Sequence, residues 1–344
     1  MSSTVEQTVP SPADQPNTNQ GIASLAVTKE SRSLTQLALR RLRRDYLTLF
    51  SGLVIIALTA LAIAAPLFES TFLPEGDDFK STDTSIKYLP INSEDHVLGT
   101  DNLGRDHFIR VLYGGRISLG IGFGAAILSL MIGMSVGVIA GYNQGAYPLG
   151  FIDDALMWFV TTLNSIPQLF LLIIVASVFI TQRPPVIDRV ISETGIPDEY
   201  IQVVIIILVL ALLSWTDTMR LVRGETLSQR SREYVVAAQA VGASSRRIMF
   251  THIIPNIFSV LTVSLAINIG GLILTEAGLS FLGLGIQEPI PSWGNMLTKS
   301  QEFFRESPHL SIIPGLLITI TVLCLYVIGD GLRDAFDPQA SKKL

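Results

Sequence analysis

One cysteine, four histidines and sparse charge set this chain apart. A lone cysteine excludes a disulfide framework and any cysteine-built zinc site. Only 15% of the 344 residues are charged, against about 25% in an ordinary soluble domain. That is too little to keep the surface of a soluble fold wet, and no basic face remains for nucleic acid. A hydrophobic share of 49% excludes a disordered chain. No Gly-x-x-x-x-Gly-Lys-Ser/Thr phosphate loop occurs, so the chain is not expected to bind or hydrolyse ATP alone. The histidines form no His-Glu-x-x-His zinc pattern, and no Gly-x-Ser-x-Gly nucleophile turn lies in an apolar stretch. Intramembrane hydrolysis is therefore set aside.

What the chain has instead is long apolar runs. About 20 apolar residues cross a bilayer. Six uncharged stretches reach or approach that length: 46–68, 117–152, 155–182, 200–216, 248–275 and 311–329. The second is too long for one helix and is expected to turn at Gly141-Tyr142-Asn143-Gln144-Gly145. The fourth is short, and extends past Asp217 toward Arg220, whose stem can snorkel. An all-α polytopic fold with six transmembrane helices follows.

Charge placement gives the expected orientation. With the N-terminus inside, the inner segments 1–45, 142–154, 217–252 and 330–344 hold 15 of the 24 Lys and Arg. Arg40, Arg41, Arg43 and Arg44 precede the first span, and six Arg lie between spans four and five. Basic residues are retained on the cytoplasmic side, so both termini are expected there. Residues 1–38, rich in Ser, Thr, Gln and Pro, read as a disordered cytoplasmic tail. Residues 39–68 form the first helix with its basic flank, and 69–116 an outer connection. Residues 117–334 form a five-helix core with a cytoplasmic loop near 220–252, and 335–344 are a tail.

The outer connection ends in Leu98-Gly99-Thr100-Asp101-Asn102-Leu103-Gly104-Arg105-Asp106, which reads as a local ion pair and helix cap. Gly120, Gly124, Gly133, Gly137 and Gly141 line helix two at spacings that favour close helix packing. Trp158 and Trp293 are expected as interfacial anchors. Glu276 is the one carboxylate inside a span. Unpaired in hydrocarbon it costs about 2.5–3.5 kcal/mol or more, so it faces protein or water. It either lines a path or makes an interhelical hydrogen bond, and the structural role is the expectation. Asn164, Ser165 and Pro167 pose the same choice, since Pro167 kinks its helix and frees backbone polar groups.

The connection between spans four and five carries the most information. Glu233 to Val241 has good helix formers, Gly242 permits a C-terminal turn, and Ser244 or Ser245 can cap a second short helix with Arg246 and Arg247. Ala237, Ala238 and Ala243 leave a low-relief face. Two short helices with an elbow either enter a partner's groove or lie on lipid headgroups.

This segment resembles the cytoplasmic Glu-Ala-Ala loop of bacterial ABC-importer permeases, with Val236-Ala237-Ala238, Gly242 and Ile254-Pro255 in the matching places. Further stretches resemble the dipeptide/oligopeptide permease C branch: Leu98-Gly99-Thr100-Asp101 with Gly104-Arg105-Asp106, Gly115-Arg116-Ile117-Ser118-Leu119, Leu221-Val222-Arg223-Gly224-Glu225, Leu279-Ser280-Phe281-Leu282-Gly283-Leu284-Gly285, Pro291-Ser292-Trp293-Gly294 and Gly329-Asp330-Gly331-Leu332-Arg333-Asp334. They cover nearly the whole chain after the N-terminal tail. The resemblance implies a type I importer: a second homologous permease subunit, ATP-binding subunits below, and an extracytoplasmic substrate-binding protein above, all in a bacterial inner membrane. It implies peptide substrates, with nickel chelates or another small solute as the alternative, and no cofactor or metal on this chain. It places ATPase coupling on Glu233, Ala237, Ala238, Gly242, Ala243, Arg246 and Arg247. Candidates for the path are Asn164, Ser165 and Glu276. Two departures stand out: Val236 holds the place of the signature Glu, and Trp158 and Thr161 stand where relatives often carry Arg and Asp. An ATP-independent secondary transporter is the rival, but no basic partner lies at the depth of Glu276.

Overall fold

A computed structural model describes residues 34–74, 76–93, 96–145, 150–181, 197–298 and 300–336, with isolated positions 185, 189, 193 and 195. Most of the expected N-terminal tail and the end of the C-terminal tail lie outside the described residues. Among the described residues the fold is helical, without strands. It comprises α1 (Leu34–Leu42), α2 (Tyr46–Ile63), α3 (Ala65–Phe72), α4 (His107–Asn143), α5 (Gly150–Asn164), α6 (Gln168–Thr181), α7 (Asp198–Arg230), α8 (Glu233–Ala240), α9 (Ser245–Phe281), α10 (Ser300–Phe303) and α11 (His309–Phe336).

Five of these helices are long and apolar enough to cross a membrane: α2, α4, α7, α9 and α11. A sixth span is reached only by counting a bent helix pair, the third apolar stretch in chain order. Its two halves, Phe151–Asn164 and Gln168–Phe179, meet at 87°. Pro167 lacks an N–H and disfavours helix in the residue before it, which ends α5 at Asn164. The expected kink is therefore a full break. Ser165 Oγ donates to the Thr162 carbonyl at 2.6 Å and satisfies part of the freed backbone.

Local chemistry sets the helix starts. Asp45 Oδ1 accepts from the Leu47 and Thr48 amides at 3.2 and 3.3 Å, capping α2. Asp106 Oδ1 accepts from the Ile109 amide at 2.8 Å, capping α4. Span two thus begins ten residues before the uncharged run at Ile117, because Arg110 and Arg116 lie inside its first turns. The helix ends at Asn143, within the expected turn, and Gly145 takes φ +72°.

The glycine stripe of α4 packs as its spacing implies. A Cβ on Gly133, Gly137 or Gly141 would stand 2.7–2.8 Å from the carbonyl oxygens of Trp215, Met219 and Arg223 on α7. Backbone cannot retreat as a side chain does, so α4 and α7 touch along their length only because these positions lack side chains. Gly122 instead leaves room for the Ile273 side chain of α9, whereas Gly120 faces open space. The core gathers α4, α6, α7, α9 and α11 around Ile121, Leu172, Ile206, Leu210 and Ile273. Cys324 is buried in α11.

Candidate functional site

Helix α7 is much longer than its apolar run. Its 33 residues reach about 50 Å, against about 30 Å of hydrocarbon. It continues through Arg220 and Arg223 to Arg230, so the connection to α9 is only residues 231–244. The charges are met sideways. Arg223 Nε and Nη2 donate to the two oxygens of Asp153 on α5 at 2.6 and 2.7 Å, and Asp153 is 1% exposed. Trp158 and Thr161 bring no charge to α5; Asp153 supplies the ion pair with α7.

Past Arg230 the chain forms the elbow. Helix α8 ends in a left-handed turn at Gly242, φ +83°, with the Ala243 amide donating to the Ala238 carbonyl at 3.0 Å and the Gly242 amide to Gln239 at 3.0 Å. This is the glycine-terminated helix end expected from sequence. Ser244 Oγ accepts from the Arg247 amide at 3.4 Å and starts α9. The turn Ile248–Ile253 is π-helical. Its wider ladder leads into Pro255, which has no N–H to give.

A separate apolar cluster fastens the elbow to the bundle. Val235, Ile248 and Ile253 are fully buried with Val138 and Tyr142 of α4 and Val222 of α7. Ala238 and Ala243 are half-buried against that cluster. Of the three alanines expected on a low-relief face, only Ala237 is fully outward, because the helical period that exposes Ala237 turns Ala238 toward Val235's side. The exposed face is Glu233, Val236, Ala237, Val241, Gly242, Arg246 and Arg247. Val241 is 85% exposed and Val236 53%. An apolar pair bare to this degree beside arginines has the make-up of a docking patch. Sequence reading overlooked Val241, whose exposure follows from the turn at Gly242.

At the opposite end, several of the singled-out motifs meet. Glu276 is fully buried and accepts from Ser118 Oγ at 3.0 Å and from Ser280 Oγ at 2.7 Å. Ser118 Oγ also accepts the Trp293 amide at 3.1 Å, and Ser280 Oγ the Ile286 amide at 3.0 Å. Trp293 is not an interfacial anchor. It is 2% exposed, its Nε1 donates to the Val111 carbonyl at 3.0 Å, and it fills the space left by Gly115. Nearby, Arg105 joins Asp101 at 2.7 Å and Glu288 at 2.6 Å, and buried Arg110 reaches Glu288 at 3.1 Å. Burial raises the Glu288 carboxyl, but Arg110 and Arg105 outweigh it and hold the group below its ordinary range. A cavity of about 270 Å³ opens here between Arg105, His107, Arg110 and Asn295.

Asn164 and Ser165 lie exposed at the break between α5 and α6, beside Thr216 and Arg220 of α7. The structure brings these two together, while Glu276 sits apart in its network with Ser118 and Ser280.

The same chain matches two family models. One, the N-terminal TM domain of oligopeptide transport permease C, covers residues 33–90. The other, the binding-protein-dependent transport system inner membrane component, covers residues 133–342. The chain belongs to that family. The permease is 34% identical to the oligopeptide transport system permease protein OppC of Bacillus subtilis over 316 residues, 92% of this chain and 93% of the relative. It is 35% identical to the glutathione transport system permease protein GsiD of Pectobacterium atrosepticum, covering 87% and 89%. It is 33% identical to the dipeptide transport system permease protein DppC of Alkalihalophilus pseudofirmus, covering 88% and 89%. The permease is thus a multi-pass inner-membrane transporter component, not an enzyme.

Proposed function

We propose that this permease forms half of the path of an ATP-driven importer of di- and oligopeptides, driven through its elbow by separate ATP-binding subunits. A second homologous permease supplies the other half, and an extracytoplasmic binding protein delivers the peptide. Both termini and residues 231–249 face the cytoplasm, in keeping with the arginines before α2 and around α8 and α9. The observation that carries the reading is the elbow itself. Its outer face is exposed and partly apolar, while Val235, Ile248 and Ile253 lock its inner face to α4, α7 and α9. A pull on the elbow therefore moves three spans together. ATP binding to the docked subunits supplies the differential affinity that shifts the two-state equilibrium. The names of the relatives support peptides as the cargo.

The test is reconstitution with the second permease, the ATP-binding subunits and the binding protein in proteoliposomes. Uptake of labelled di- and tripeptides is expected only with ATP. Uptake without the ATP-binding subunits, or uptake of a nickel chelate and no peptide, would contradict the proposal.

A further inference from the structure

The break between α5 and α6 leaves polar groups on the outside of the protomer at a depth where lipid would be expected. Asn164, Ser165 and Gln168 are exposed there. Against them stand Asp217 and Arg220 of α7, with side chains 72% and 44% exposed and 2.6 Å apart. The Asn164 amide, oriented to satisfy both its ends, accepts from Arg220 Nη2 at 2.9 Å and donates to Thr216 Oγ1 at 3.2 Å. Gln168 Nε2 donates to Ser214 Oγ at 3.3 Å. If the span begins at Tyr200, Asp217 lies about 25 Å and Arg220 about 30 Å along the helix, so the pair sits at the far edge of a hydrocarbon layer of about 30 Å. A broken backbone between the halves of a span, with an exposed ion pair against it, is tolerated only beside water or protein.

We infer that Asp217 and Arg220 line the substrate path at this break, and that Arg220 there receives the free carboxylate of a passing peptide. This rests on the importer reading above. The chemistry fits the cargo class. The pair is neutral in sum, as is the backbone of a peptide with both ends free. The Arg220 guanidinium suits a carboxylate through parallel N–H donors, and Asp217 suits an ammonium. Asn164, already bonded to the guanidinium, positions it. Such a site reads the ends of a peptide and ignores its side chains. The pair exchanges its internal contact for contacts to the peptide, so no charge is left unmatched on arrival or departure.

The experiment uses the assembled transporter with Arg220→Gln. Uptake of a tripeptide with a free C-terminus is expected to fall about tenfold, the loss of one charge-assisted contact. Uptake of its C-amidated twin is expected to change less than about twofold. Arg220→Lys should recover part of the free-acid uptake. Equal losses for both peptides, no loss for either, or loss of the co-purifying second permease, which would make the pair a subunit contact, each overturn the assignment. A second measurement does not depend on how the binding protein treats the amide. In a Cys324→Ser background, Asp217→Cys is expected to react with a charged thiol reagent, and saturating peptide to slow that reaction. An inert thiol, or one indifferent to peptide, overturns the assignment. Absence of ATP-dependent peptide uptake by the unmodified transporter would instead overturn the importer reading.

Discussion

Asp153→Ala is expected to destabilise the permease by about 1.5–3 kcal/mol, the cost of removing a bidentate charge-assisted contact from a partly buried arginine. Asp153 is 1% exposed and takes two hydrogen bonds from Arg223, itself only 18% exposed. Without the carboxylate, the guanidinium loses both of these hydrogen bonds and its paired counter-charge on α5. The Arg223 carbonyl lies where a Cβ on Gly141 would sit, so α7 has no slack at this level. Thermal unfolding of the purified protein in detergent measures the loss. Exchanging the pair, Asp153→Arg with Arg223→Asp, should recover part of it. Asp217→Ala breaks an exposed i, i+3 pair instead and should cost under about 1 kcal/mol. Equal shifts for Asp153→Ala and Asp217→Ala would contradict this account of how α5 is held.

Gly242→Val is expected to lower transport at least about tenfold while the protein stays in the membrane at near-normal amount. Gly242 has φ +83° and nothing within 4 Å of an added Cβ. The penalty is therefore conformational, about 1–3 kcal/mol for a β-branched residue in the left-handed region. It falls on a turn outside the apolar cluster, so the bundle folds and only the direction of α8 against α9 changes. Gly242→Asn, which tolerates this backbone conformation, should keep much more of the transport. Peptide uptake normalised to membrane abundance decides it. Full uptake by Gly242→Val, or equal loss in the Val and Asn variants, would contradict the mechanical role given to the turn.

What was legible in the sequence was local. The caps at Asp106 and Ser244 and the glycine turn at Gly242 each depend on residues within a few positions, and residue type declares them. Of the five spaced glycines of α4, the run Gly133, Gly137 and Gly141 packs on α7 as its spacing implies, while Gly120 does not. What was hidden depends on distant partners. Glu288 closes on Arg105 and Arg110 across 183 and 178 residues, and nothing in its own surroundings announces that. The length of α7 was hidden because a search for uncharged residues stops at Asp217, whereas the helix continues wherever its charges find mates. The place of Trp293 was hidden because an aromatic after a Pro-Ser turn reads as a surface anchor until Gly115 offers it a slot. The outward and inward sides of the elbow were hidden because Ala237 and Ala238 are chemically identical, and only the position of Val235 separates them.

The central claim is that the elbow is the seat of an ATP-binding subunit. The direct measurement is site-specific crosslinking in the assembled transporter from a single cysteine placed at outward-facing Ala237, in the Cys324→Ser background. The account predicts a covalent product with an ATP-binding subunit from Ala237→Cys, and little or none from Val235→Cys on the buried side. Failure of Ala237→Cys to capture that subunit in a complex that transports peptide would contradict it.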